Sequence, residues 1–302
     1  MKPKNVEKED TLSESKDSAC KKGKYDPRNK LNNLVSTEWI KETVSVWTQK
    51  GLGANHKDAQ IEKQHPAPFS FQDVGRLIRF FTKEKALVLD PFCGVASTLK
   101  ACAVNNRKGV GIELNKKYID LSKERLETEV DNDLFYNRDQ TLIHGDALEV
   151  INKFEDDYFD FVVTSPPYWG ILNKIDHKAK QERIANGLDT NYSEDEKDLA
   201  NIEEYPVFVK TLSNFFNDCA RILKSGKYLC IIVSDFRDKD KYHMFHADLA
   251  RELEKGNFQL KGITILYQRH KRIFPYGYPY SYVPNIHHQY ILILQKKDQQ
   301  LC

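Results

Sequence analysis

Polar side chains with chemistry to offer stand at the ends of short apolar runs in this 302-residue chain. The first cluster is DPFCGVAST, Asp90 to Thr98. A glycine turn there lets backbone approach a ligand and opens a helix whose first N–H groups attract polar or anionic atoms, although the same letters also write a plain turn. Glu113, in GIEL, follows about 20 residues later, the spacing at which a carboxylate accepts both hydroxyls of a ribose; a helix N-terminal acid is the alternative. Asp146, in HGDA, is either an acceptor for an amino-bearing ring or the cap of a helix starting at Ala147. Three acids at three successive run ends, in the order one adenosine-like ligand requires, argue for a single ligand site.

A fourth run ends in TSPPYWG, Thr164 to Gly170. Two consecutive prolines fix φ and remove two backbone donors, so this segment is a stiff turn with fixed carbonyls. Ser165 stands ahead of the prolines, and Tyr168 and Trp169 follow them. A hydroxyl, a rigid carbonyl and a stacking ring together suit a planar base bearing an exocyclic amine.

The elements that must position these residues follow from periodicity. ALVLD, GVGIE, TLIHG, FDFVVT, KYLCIIVSD, QLKGITILYQ and HHQYILILQKK read as strands. STLKACAVNN, KKYIDLSKERLETEV, a long segment from Ile202 to Leu223 and HADLARELEK read as helices. In the long segment Tyr205, Phe208, Leu212, Phe215, Phe216 and Cys219 mark one apolar face, and KSG is expected to stop it. Strands alternating with helices predict an α/β, doubly wound, mainly parallel sheet of about seven strands, with ligands bound beyond the strands' carboxyl ends. Residues 1–30, almost without large apolar side chains, are expected to be a disordered tail. Residues 31–302 are expected to form a single domain, and the segment around Trp39 and Trp47 is expected to dock on it.

Composition narrows the function classes. Lys plus Arg number 46 against 44 Asp plus Glu, a net charge of +2, with 40% hydrophobic and 11% aromatic residues. That is a globular composition with no run of the ~18 apolar residues a membrane span requires and no apolar leader, so an intracellular protein is expected. The six cysteines, Cys20, Cys93, Cys102, Cys219, Cys230 and Cys302, form no CxxC pair and have no histidine at ligand spacing. No metal site and no disulfide framework are expected.

TSPPYW after the fourth strand, DPFCG after the first, and HPAPF (His65 to Phe69) together resemble the amino-group DNA methyltransferases, which modify cytosine N4 or adenine N6 with S-adenosylmethionine. The resemblance spans roughly Leu31 to Lys297. It implies a Rossmann-like class I methyltransferase fold with the last strand antiparallel. It further implies that Pro66, Phe69, Asp90, Phe92 and Gly94 hold the methionine half of the cofactor, Glu113 the ribose and Asp146 the adenine. Ser165, Pro166, Pro167 and Tyr168 become the catalytic turn. Hydrogen bonds from a flipped base's amine to Ser165 and the Pro166 carbonyl would then free the nitrogen lone pair to attack the sulfonium methyl in line. A covalent route through cysteine is not implied, because the turn contains none.

Two departures accompany the resemblance. Where family turns often read DPFxGSGTT, this chain has Val95 and Ala96, so Ala96 must avoid positive φ or bear strain. The family's last strand often begins His-Glu, and here it begins His288-Gln289.

A serine at the head of the four-residue turn goes more often with cytosine N4 products in this family, so N4 is favoured over adenine N6. An RNA amine methyltransferase and a catalytically degenerate nucleic-acid-binding subunit are the rival readings. Only 18 positions separate Asp146 from Thr164, too few for a recognition domain. Contacts to double-stranded DNA are expected instead from residues 170–204 and 236–285. The first region carries five basic and nine acidic residues, net −4, with Lys174 among its cations. The second carries RHKR, with Arg269, Lys271 and Arg272, followed by four tyrosines in FPYGYPYSYVPN; cations beside stacking rings suit nucleic acid, while a solvated charge run is the alternative. Trp169 is expected to stack at the rim. A cognate restriction endonuclease is the further partner that the resemblance suggests, with a nucleoid-associated location.

Overall fold

A computed structural model describes residues 25–49, 56–65, 70–130, 139–170, 185 and 197–298. The elements in chain order are α1 (Ser36–Glu42), β1 (Val46–Thr48), α2 (Phe71–Phe81), β2 (Leu87–Asp90), α3 (Ser97–Val104), β3 (Lys108–Glu113), α4 (Lys116–Glu129) and β4 (Gln140–His144). They continue with α5 (Ala147–Val150), β5 (Phe159–Thr164), α6 (Tyr205–Ile222), β6 (Leu223–Val233), β7 (Phe236–Asp238), β8 (Lys241–His243), α7 (Phe245–Glu254), β9 (Phe258–Tyr267) and β10 (His288–Lys296). The main sheet has eight strands in the order β1-β9-β10-β6-β5-β2-β3-β4, and β7 and β8 form a separate antiparallel pair. All seven expected strands are present. The eighth, β1, is three residues long and pairs parallel with β9. Only β10 runs against the rest, antiparallel to both β6 and β9.

Strand order reverses where β2 and β5 lie side by side, with β3 and β4 on one flank and β6 on the other. At such a reversal the two flanking connections leave on opposite faces and open a crevice above the strand ends. The central strands are buried on both faces, so they read as continuous apolar runs rather than alternating ones. Leu89, Val162 and Leu229 pack with Phe208, Leu212, Phe216 and Leu249 on the face covered by α6 and α7. Val88, Phe161, Val163 and Cys230 pack with Leu77, Ile78 and Phe81 of α2 on the other.

The expected apolar face of α6 is the buried one, and Pro206 in its first turn costs no hydrogen bond there. KSG does not separate helix from strand. Leu223 already pairs with Phe159, and Lys224–Gly226 lie in the bulge before pairing resumes at Tyr228 and Phe161. Residues 25–30 of the expected tail are described and form a turn around Asn29, whose amide donates to Asn32 Oδ1 at 2.8 Å. Asn32, fully buried, donates in turn to the Phe80 carbonyl at 2.6 Å. Trp39 lies 4.8 Å from the Phe80 ring, and the Arg76 guanidinium stacks 3.7 Å above Trp47. The early tryptophans therefore dock as their apolar area requires. Cys93, Cys102, Cys219 and Cys230 are buried free thiols, each held in its neutral form by burial.

Gly111 on β3 lets α3 press onto the sheet beneath the crevice. A β-carbon there would stand 2.7 Å from Leu99 Cδ1 and 2.8 Å from Cys93 Sγ. Gly111→Ala is expected to destabilise the protein by about 1–3 kcal/mol through overpacking. Equilibrium urea unfolding measures it, and an unchanged midpoint would contradict this packing.

Candidate functional site

A crevice opens above the carboxyl ends of β2 to β5. Phe92, Glu113, Asp146, Ser165 and Pro167 line it together, so residues from four strand ends and up to 75 positions apart in sequence share one cavity.

Glu113 closes β3 and is turned inward by two backbone donors: Gly94 N–H at 2.9 Å on Oε2 and Asn115 N–H at 2.8 Å on Oε1. Burial pushes its carboxyl up to about 7 against those two hydrogen bonds, with Asp198 and Asp90 adding to the rise. Asp146 caps α5, accepting from Leu148 N–H at 2.9 Å while lining the crevice, so the two readings of this residue coexist.

Asp90 and Gly94 stand behind the lining rather than in it. Asp90, fully buried, accepts from Thr164 Oγ1 at 2.6 Å, from Phe92 N–H at 3.1 Å and from the Thr98 hydroxyl. Its carboxyl is raised to about 6 by burial, opposed by those three donors. It shapes the turn instead of facing a ligand. Gly94, at φ +51, brings its α-carbon under His65, whose ring nitrogen would lie 3.0 Å from any β-carbon there. Ala96 adopts φ +59, so the strain expected from the missing glycine is present, costing about 1–2 kcal/mol. Its N–H bonds Cys93 O and its carbonyl starts α3 by accepting from Lys100 N–H.

His65 also lines the crevice, edge-on to Tyr118 with ring centroids 4.8 Å apart. The segment that carries it is anchored by the buried Arg125 guanidinium, which reaches Glu62 at 2.8 Å and Glu129 at 2.9 Å and donates to Val95 O. Pro66 and Phe69 lie outside the described residues, as does Lys174.

In the Ser-Pro-Pro-Tyr turn, Ser165 and Pro167 face the crevice, whereas Pro166 is buried. Tyr168 is buried behind Ser165, and its oxygen accepts from Gln289 Nε2 at 3.2 Å. Gln289, the departure at the start of β10, thus touches the turn directly. Trp169 is not the rim-stacking ring that its position suggested. It is 7% exposed, donates to Ile202 O at 2.8 Å, and packs 5.4–5.9 Å from Tyr205, His243 and Phe236. An indole with a satisfied N–H among three rings is worth more inside than out.

Arg269, Lys271 and Arg272 are exposed on the loop between β9 and β10, at the same edge of the sheet as the crevice. The loop is held by Asn285, which accepts from Phe274 N–H and donates to Phe274 O. It presents Tyr278, Tyr280 and Tyr282 at 81–93% exposure.

Lys197, Asp198 and Leu199 complete the crevice wall and were invisible to periodicity, lying in a polar insert without pattern. Tyr118 was visible only as an apolar member of a helix. No group of three or more potential metal ligands occurs among the described residues, and no described helix is long and apolar enough to cross a membrane.

An open sheet carrying acids at the ends of β3 and β4 and a Ser-Pro-Pro-Tyr turn after β5, across β2 from them, is the architecture of a Rossmann-like methyltransferase. A family model described as DNA methylase, for N6 and N4 methyltransferases, matches residues 2–124 and 159–301. The chain belongs to this N6/N4 DNA methylase family. Among curated relatives it is similar to orphan methyltransferase M.BamHII of Bacillus amyloliquefaciens, 37% identical over 102 residues, covering 33% of this chain and 37% of that protein. It is also similar to type II methyltransferase M.ScaI of Streptomyces caespitosus, 30% identical over 107 residues and 35% of each chain. The matched stretches span about a third of those relatives' length. A solved S-adenosylmethionine-dependent methyltransferase from Methanosarcina mazei has a TM-score of 0.44 at 15% identity, over 70% of this chain and 93% of that one. S-adenosylmethionine is the cofactor of the family, and the crevice's acceptor carboxylates Glu113 and Asp146, one at the end of β3 and one after β4, fit its ribose and adenine.

Burial of Asp90 and Glu113 has a consequence for stability. Both carboxyls titrate higher folded than unfolded, so the folded chain keeps protons that the unfolded chain releases from about pH 4 upward. Their contribution to stability is therefore present below about pH 4 and is lost as pH rises to between about 6 and 7. A plot of urea midpoint against pH for the ligand-free protein should show this component, and Asp90→Asn with Glu113→Gln should flatten it; identical slopes would contradict the raised titration of these two buried carboxyls.

Proposed function

We propose that this chain is a site-specific DNA methyltransferase that moves a methyl group to the exocyclic amine of a base turned out of the duplex, with cytosine N4 preferred over adenine N6. The observation that carries the proposal is the single crevice shared by Glu113, Asp146 and Ser165. Bound S-adenosylmethionine supplies a methyl activated on a sulfonium sulfur. The protein's own residues supply orientation: Glu113 and Asp146 accept from ribose and adenine at one end, and Ser165 and the Pro166 carbonyl accept from the target amine at the other. Attack by the nitrogen then needs alignment rather than a covalent enzyme intermediate. The residue at the head of the turn is a hydroxyl and not a carboxylate, which supports N4. Double-stranded DNA is drawn to the Arg269, Lys271 and Arg272 loop, and a cognate restriction endonuclease is the companion enzyme such a methyltransferase would protect against.

Incubation with methyl-labelled S-adenosylmethionine and unmethylated DNA, followed by digestion and mass spectrometry of the nucleosides, tests this reading. Label in N4-methylcytosine is expected. Label in N6-methyladenine would overturn the choice of base, and none in DNA with cofactor bound would overturn the substrate.

Replacing Arg269, Lys271 and Arg272 with alanine should weaken duplex binding at every sequence. The slope of log affinity against log salt should fall in magnitude by about 2–3, three phosphate contacts' worth. An unchanged slope in fluorescence anisotropy titrations would move the DNA surface elsewhere.

A further inference from the structure

The loop between β9 and β10 holds three phenol rings almost wholly in solvent: Tyr278 at 81% exposure, Tyr280 at 93% and Tyr282 at 90%. A single exposed ring needs no explanation, but three neighbouring rings on one ordered tip mark a surface built to be covered. The backbone beneath them is closed on itself. The Gly277 carbonyl accepts from Tyr280 N–H at 2.7 Å and from Ser281 N–H at 2.8 Å. Gly277 takes φ +77, and a β-carbon there would strike the Ser281 carbonyl, so glycine is what this turn requires. Asn285 clamps the base of the loop by bonding both the N–H and the carbonyl of Phe274, and Arg237 of β7 donates to the Pro284 carbonyl. The tip therefore presents its rings on a fixed frame, and ordering them on a partner costs little.

Two observations identify the partner. From Gln268 to His287 the permanently charged side chains are Arg269, Lys271 and Arg272, with no acid among them, so the surround favours a polyanion. Gln289, at the start of β10, donates to the Tyr168 oxygen at 3.2 Å, so the loop springs from beside the Ser-Pro-Pro-Tyr turn. An intact duplex offers side chains its phosphates and base edges, while the base faces stay covered in the stack. Faces become available only where a base has left.

We propose that the tip from Tyr278 to Tyr282 inserts into double-stranded DNA at the place vacated by the target base, with Tyr280 and Tyr282 stacking on the bases that the departure uncovers. The inference rests on the reading of this chain as an enzyme acting on a base turned out of the duplex. Arg269, Lys271 and Arg272 hold phosphates and the rings hold the opened stack, so charge and stacking are separable within one loop.

Fluorescence anisotropy with two labelled duplexes of one sequence, one intact and one carrying a single abasic site, tests the two contributions apart. Wild type should bind the abasic duplex roughly 10-fold more tightly, because the opening is already made and the stacking is gained in full. Tyr280→Ala with Tyr282→Ala should lose that preference and keep the salt slope, since phenols neutralise no phosphate. Tyr280→Phe with Tyr282→Phe should retain it, because the ring face makes the contact. Alanine at 269, 271 and 272 should do the opposite, lowering the slope and sparing the preference. Melting temperatures confirm that each variant is folded. No preference in wild type, or an undiminished one in the alanine variant, would overturn insertion. A dimer in sedimentation that the tyrosine-to-alanine substitutions dissolve, with the preference retained, would assign the rings to a second copy of this chain instead. The underlying reading fails by a different result: no methyl label in DNA from a wild type that shows the tyrosine-dependent preference would overturn the amine reaction and leave insertion standing. Absence of binding to either duplex would overturn both.

Discussion

The buried contact between Thr164 and Asp90 joins the two halves of the site. Asp90 ends β2, Thr164 ends β5, and the 2.6 Å hydrogen bond between them crosses the point where strand order reverses. The residues that follow each partner open the glycine turn on one side and the Ser-Pro-Pro-Tyr turn on the other. A fully buried carboxylate is costly unless every lone pair in reach is occupied. Asp90 meets that demand with two hydroxyls and one backbone N–H drawn from both turns. Satisfying one acid therefore fixes the separation of the cofactor end from the acceptor end. Loss of any donor would be felt at both ends, although Asp90 itself lines neither.

A second buried network performs the same service for the segment ahead of α2. Arg125 and Lys100 are both buried, and Glu129 lies between them at 2.9 and 2.7 Å. Arg125 extends to Glu62 and the Val95 carbonyl, so one guanidinium ties α4 to the cofactor turn and to the residues leading to His65. Its other N–H groups leave little unsatisfied, which is the condition under which a buried ion pair is tolerable. Fixing a wall by charge rather than by apolar packing gives it a defined geometry, because a fork of donors accepts few arrangements.

The sequence made the cofactor half legible because that half is local. β2, β3 and β4 with their following acids lie within residues 87–146, and each acid's place follows from where an apolar run stops. β1 was missed because three residues carry no period; its strand character comes wholly from pairing with β9, more than two hundred positions away. The same limit explains Trp169. Its position after the turn was evident, but the three rings that enclose it come from α6 and the β7–β8 pair. Asp90 was placed correctly at the strand end and misassigned in its direction, since nothing in DPFCG reveals that Thr164 and Thr98 will claim both carboxylate oxygens.

The acceptor half is assembled the other way, from segments scattered over residues 165–290. Ser165 and Tyr168 come from the turn and Gln289 from the start of β10, and the exposed tyrosine loop hangs from the same β10. β10 is the antiparallel strand, so its beginning, not its end, reaches the crevice edge. That reversal delivers Gln289 behind the Ser-Pro-Pro-Tyr turn and lets the loop before it project beyond the same edge. A parallel strand in this place would have put its first residues at the opposite edge of the sheet. The direction of one strand thus places Gln289, whose amide donates to Tyr168, and the exposed tyrosine loop at one edge of the sheet, joined by a short stretch of chain.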